Sequence, residues 1–146
     1  MKQELRFAAL FVVFVLAWST LSAGATARFQ RAQRCYDRNE AALQTLAQRF
    51  DAGERSALAA EKLSGVQRIV VVANPSRLEI HTGAFGIAPA SIYSGIYYSP
   101  ADEPMSMDSG AALHEEKDGW SWHGAGDNRG YIRRICENWY YFEASF

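Results

Sequence analysis

Three histidines and two cysteines are the residues here whose types most readily do chemistry. His81, His114 and His123 stand 33 and 9 positions apart, a spacing that matches no compact zinc motif, and no HExxH occurs. His114 is followed by Glu115, Glu116 and Asp118, the composition of a solvated hairpin end. His123 with Asp127 is one pair from which an oriented general base could be built, the only footing for a small-hydrolase reading. Ordinary surface roles are the simpler assignment for both. Asp127-Asn128 lies in a glycine setting but lacks the acidic spacing of a calcium loop, so a turn closed by Asx side chains is expected there. No G-x-S-x-G, Walker A or dinucleotide-binding glycine pattern is present. The expectation is a chain with no catalytic residue, no metal and no cofactor, hence not an enzyme.

Cys35 and Cys136 lie 101 positions apart, and no CxxC exists. In an oxidising compartment a bridge between them would clamp the first helix to the penultimate strand. Closing so long a loop contributes about 4–5 kcal/mol in the chain-entropy account. Two unrelated buried thiols are the alternative. Aromatic residues make up 13% of the chain and crowd its last stretch. Trp120 and Trp122, two apart, share one face of a strand, while Trp139-Tyr-Tyr-Phe142 puts rings on both faces of another. If exposed, Trp120, Trp122, Trp139 and Tyr141 are candidate ligand-binding residues, stacking on a glycan or anchoring a peptide. If buried, they fill the core, which a small domain this aromatic needs.

The elements that would position these groups follow from periodicity. Phe29, Tyr36, Leu43 and Phe50 recur every seven residues with Ala32, Leu46 and Ala47 on the same side, which predicts an amphipathic helix over 28–50. A break at Gly53 follows, then a short second helix ending near Leu63, with Asp51 and Glu54 placed as a capping box. After Gly65 the period becomes that of strands: 66–73, then 77–82 after the Asn74-Pro75-Ser76 turn, then 91–99. In the second, Leu78, Ile80 and Thr82 occupy one face and Arg77, Glu79 and His81 the other. Residues 100–110 read as an exposed loop. Strands near 111–116 and 120–123 meet at Asp118-Gly119, and 131–136 and 139–144 meet at Glu137-Asn138. The predicted fold is α+β, one or two helices packed on an antiparallel meander of about five to seven strands.

At the start, Phe7 to Trp18 is an unbroken apolar run, and no charge falls between Arg6 and Arg28. Those 21 residues reach about 31 Å as a helix at ~1.5 Å each, enough for a bilayer core. Residues 1–27 are therefore expected to be a transmembrane anchor or a signal peptide. Ala23-Gly24-Ala25 and Ala25-Thr26-Ala27 both offer cleavage patterns. Residues 28–146 are expected to form a single domain outside the cytoplasm, at the cell membrane or secreted. Arg28, Arg31, Arg34 and Arg38 on the far flank argue for the opposite orientation by positive-inside counting. The partners expected are the membrane, through 7–27, and an unknown protein or glycan. A net charge of −1 gives no basic excess for phosphates, so nucleic acid is not expected.

GIYYSP at 95–100 and DGWSWHGAGDNRGYIRRICENWYYFEASF at 118–146 resemble short bacterial exported or membrane-tethered proteins that carry no assigned activity. That resemblance implies a domain identity and no site residues. A hydrophobic N-terminal helix leading into a sheet is also similar to type IV pilins and pseudopilins. This chain lacks the small residue before Phe7 that the prepilin peptidase needs and a glutamate inside the apolar run. The function expected is a non-enzymatic structural or interaction module. The alternative is a glycan- or peptide-binding accessory domain using an aromatic sheet face.

Overall fold

The computed structural model describes the backbone of residues 2–87 and 90–146 and the side chains of residues 24–86 and 91–146. The first helix, α1, spans Lys2–Asp51, and the chain divides into two units, 1–30 and 31–146. The side chains of 7–23, most of the apolar run, lie outside the described residues. Among those described, no helix is long and apolar enough to cross a membrane.

In the second unit α1 is rich in Ala, Arg, Gln and Leu, all good helix formers. It buries Ala32, Tyr36, Leu43, Leu46, Ala47 and Phe50 of the predicted stripe together with Cys35, whereas Phe29, in the first unit, is half-buried. Gly53, at φ 84°, ends it in the left-handed conformation that closes helices, with Glu54 N–H donating to Arg49 O at 2.9 Å. The expected capping box is not formed. Asp51 Oδ2 instead accepts the Tyr98 hydroxyl at 2.6 Å, and Glu54 pairs with Arg49 at 2.9 Å. The second helix, α2, is only Arg55–Leu58, and Glu54 at its N-terminal boundary makes no side-chain capping bond.

Seven strands follow: β1 (Arg68–Val72), β2 (Arg77–Ile87), β3 (Ala90–Tyr98), β4 (Leu113–Glu116), β5 (Gly119–His123), β6 (Arg129–Cys136) and β7 (Trp139–Ser145). All pairings are antiparallel, in the order β1-β2-β3-β7-β6-β5-β4. The fold is thus α+β, but its sheet is not one continuous meander. After β3 the chain crosses through 99–112 to the far edge and works back, so that β7 lies against β3. The crossing leaves the two most aromatic strands, β3 and β7, at the centre. Tyr97 and Tyr140 face each other in register, as do Tyr98 and Trp139.

Strand alternation divides these residues between two covered faces. One face presents Leu78, Ile80, Ile96, Tyr98, Trp139 and Tyr141 to α1. There Tyr36 meets Trp139 edge-on at 5.7 Å and Phe50 meets Tyr98 at 6.2 Å. The other face carries Tyr97, Trp122, Ile132, Tyr140, Phe142 and Ala144 beneath Met105, Met107 and Ala111 of the crossing loop. That loop is therefore a covering layer, where an exposed loop was expected. Asp102 fixes it: its carboxylate accepts from Asn138 N–H (2.7 Å), from the Tyr140 hydroxyl (3.1 Å) and from Arg134. The Asn138 amide holds Asp102's carboxyl below the usual carboxylate range, with Tyr140 and Arg134 adding to it against some desolvation. Met105 N–H donates to Tyr97 Oη at 2.8 Å, which seats the methionines over the rings.

Candidate ligand-binding site

On the face under the crossing loop, β2 presents Arg77, Glu79 and His81 in succession. The predicted alternation is correct, but these residues are buried, at 5%, 7% and 6% exposure. Arg77 Nε donates to Glu79 Oε1 at 2.7 Å, and His81 Nε2 lies 2.9 Å from Glu79 Oε2. Burial raises the Glu79 carboxyl's pKa. The His81 hydrogen bond and the Arg77 charge outweigh it, so the net shift is below the ordinary value. An ionised carboxylate only accepts, so in the neutral imidazole the His81 proton sits on Nε2. That leaves Nδ1 as an acceptor, and Nδ1 is buried with no hydrogen-bond partner. Arg77 Nη1 is likewise unpartnered.

Two backbone features place His81. The β2–β3 register shifts between His81 and Gly83, a bulge of the kind that re-aims a side chain. Opposite His81 stands Gly95, which also pairs with Phe142 of β7. A Cβ on Gly95 would lie 2.2 Å from Ile80 O and 2.9 Å from the Phe142 ring, so only glycine allows this approach. The imidazole packs edge-on to Phe142 with centroids 5.1 Å apart.

Beside this cluster is a cavity of about 390 Å³ lined by Arg68, Glu79, His81, Tyr93, Met107, Phe142, Ala144 and Phe146. It falls within the size range of small-molecule sites. Arg68 is exposed at its edge, with the guanidinium 5.9 Å from the Tyr93 ring centroid. Phe146, 44% exposed, completes the rim beside Tyr93 at 6.2 Å. The chemistry on offer is one rim cation, one buried acceptor and several apolar walls. The Glu79–His81 pair is also the geometry by which a carboxylate orients a base.

The residues singled out from sequence are placed differently. Trp120 and Trp122 do share a face, paired with Ile132 and Gly130 of β6. Trp139 and Tyr141 occupy the opposite face, so the structure does not bring the four together. Trp122, Trp139 and Tyr141 are 0%, 1% and 2% exposed, which leaves no ring face there for a sugar. Half-buried Trp120 alone reaches a second depression of about 260 Å³, lined by charged residues including Glu116 and Arg133. His114, His123 and Asp127 are exposed. No group of three metal-ligating side chains occurs among the described residues.

Of the two readings open for Cys35 and Cys136, the bridge is not formed, and both cysteines are free. The helix and β6 do meet as foreseen, but Tyr36 rather than Cys35 reaches across. Cys136 Sγ donates to Tyr36 Oη at 3.1 Å, and Cys35 Sγ points to Ser64 O at 3.9 Å. Desolvation, then the Cys136 contact, pushes the Tyr36 phenol up to about 12.

Sequence reasoning set His81 aside as a metal ligand or general base, counted Tyr93 only among the strand rings, and gave Glu79 and Arg68 no role in a site. One signal could have found them. Strands β3 and β7 carry large rings on both faces, which requires both faces of the sheet to be covered. The Arg-Glu-His face of a neighbouring strand is then buried, and charges there must pair. No protein-family model matches the chain, and no curated protein and no solved structure matches it.

Proposed function

We propose that this chain is a non-enzymatic binding module, exported or membrane-tethered through residues 7–27, that takes a small organic ligand in the cavity beside His81. The observation that carries this reading is His81 itself, which lines a cavity of ligand size and whose buried Nδ1 has no hydrogen-bond partner. Buried polar atoms are ordinarily hydrogen-bonded, and one left without a partner beside a cavity asks for one from a ligand. Among the described lining residues no serine, threonine or cysteine stands beside the Glu79–His81 pair, which favours holding a ligand over attacking one. The cellular placement rests on the uncharged run alone, and detection of the intact chain in the soluble cytoplasmic fraction would overturn it.

A thermal-shift screen of the full chain against a chemically mixed small-molecule library tests the binding reading. A ligand at 100 times its Kd adds about 2.7 kcal/mol, enough to raise the midpoint by several degrees. The expected result is a set of stabilising compounds whose effect disappears in His81→Phe. Arg68→Gln, at the exposed rim, serves as a second variant should His81→Phe fold poorly. Compounds that stabilise both variants as well as the native chain would contradict the assignment.

A further inference from the structure

The cavity's own charges narrow what it can hold, granted the binding reading just given. Glu79 is the one side-chain carboxylate on its lining, and both its oxygens are taken, by Arg77 and by His81. The charge left over is the Arg68 guanidinium. It lies over the Tyr93 ring and pairs with no carboxylate among the described residues. Arg68 and His81 are direct partners in the β1–β2 register. Their side chains therefore leave the sheet side by side, with Cβ atoms about 4.5–5.5 Å apart. One small molecule can touch both.

We propose that the ligand is a small aromatic or otherwise flat carboxylate that also carries a hydroxyl or N–H group, its carboxylate held by Arg68 and its donor by His81 Nδ1. The guanidinium fork matches a carboxylate in shape and charge. A ligand that only accepts hydrogen bonds leaves Nδ1 bare, because the Glu79 contact already uses the imidazole proton. Tyr93, Phe142 and Phe146 supply ring faces, and Met107 covers the body with an adaptable thioether. A cationic ligand would meet Arg68 with like charge and find no unoccupied side-chain carboxylate on the lining.

Titration calorimetry of the full chain with 4-hydroxybenzoate, benzoate and phenol separates these contributions. The first carries both groups, the second lacks the donor, and the third lacks the charge. The expected order places 4-hydroxybenzoate at least about tenfold tighter than either. Arg68→Gln should weaken 4-hydroxybenzoate and benzoate by about tenfold and leave phenol unchanged. Added salt should weaken the two acids in parallel. Phenol binding as tightly as 4-hydroxybenzoate, with Arg68→Gln indifferent, would overturn the anion while leaving the cavity reading intact. Benzoate equalling 4-hydroxybenzoate would overturn the donor. No heat from any of the three would overturn the ligand class, and the library screen would then decide the binding reading by itself.

Discussion

Glu79 shows how one carboxylate can organise a buried site. It joins Arg77, which would otherwise be a lone buried charge, to His81, whose tautomer it dictates. Removing one member of such a pair strands the other, so Glu79→Gln is expected to destabilise the fold by about 3–5 kcal/mol, measured by urea unfolding at neutral pH. The pH dependence has a definite sign. Because the folded-state pKa is lowered from 4.5, Glu79 contributes stability above pH 4.5 and loses it as pH falls below that through its folded value. Acid unfolding curves should therefore show a shallower loss below pH 4.5 in Glu79→Gln than in the native chain. An equal loss in both would remove the ion pair from the account. At this scale the sequence was partly legible. The alternation of Arg77, Glu79 and His81 could be read, but their burial could not, since it depends on what a loop some twenty residues downstream covers.

Among the elements, α1 and the crossing loop press on the sheet from opposite sides, and their legibility differed for a physical reason. The helix carries its own period, so its buried stripe could be read directly from Tyr36, Leu43 and Phe50. The loop has no period. Its place is fixed by Asp102 and Asn138, two residues at positive φ (53° and 64°) that bind one another across 36 positions. Such pairs leave no trace in local pattern. The capping prediction failed similarly, because a tertiary partner, Tyr98, took Asp51 and is itself held up at about 12, by burial first and then by that carboxylate. The helix interface is testable by Leu43→Ala. Leu43 is fully buried, so the substitution is expected to cost about 2–5 kcal/mol. A loss under 1 kcal/mol would mean that α1 does not pack on the sheet as described.

For the whole molecule, the strand order matters most. Antiparallel pairing and strand number follow from alternation and turn residues such as Asp118-Gly119 and Glu137-Asn138. The return of β7 to β3 does not, because no local signal records which edges join. Yet that one pairing brings Gly95 opposite Phe142 and so builds the wall against which His81 rests. The cavity is a product of topology, assembled from β1, β2, β3, the crossing loop and the chain through β7. Its lining could be recognised only after the strands were ordered.

The claim on which the account turns is that His81 meets the ligand, and the nitrogen spectrum of the histidines tests it most directly. With only three histidines, a long-range ¹H–¹⁵N correlation of the full chain, labelled on its imidazoles, resolves each ring, and His81→Phe identifies one. The expected spectrum has the His81 proton on Nε2. On adding a ligand that stabilises the chain, its Nδ1 resonance should move while those of exposed His114 and His123 stay in place. A His81 ring whose nitrogens ignore every stabilising ligand, or whose proton resides on Nδ1, would contradict the account.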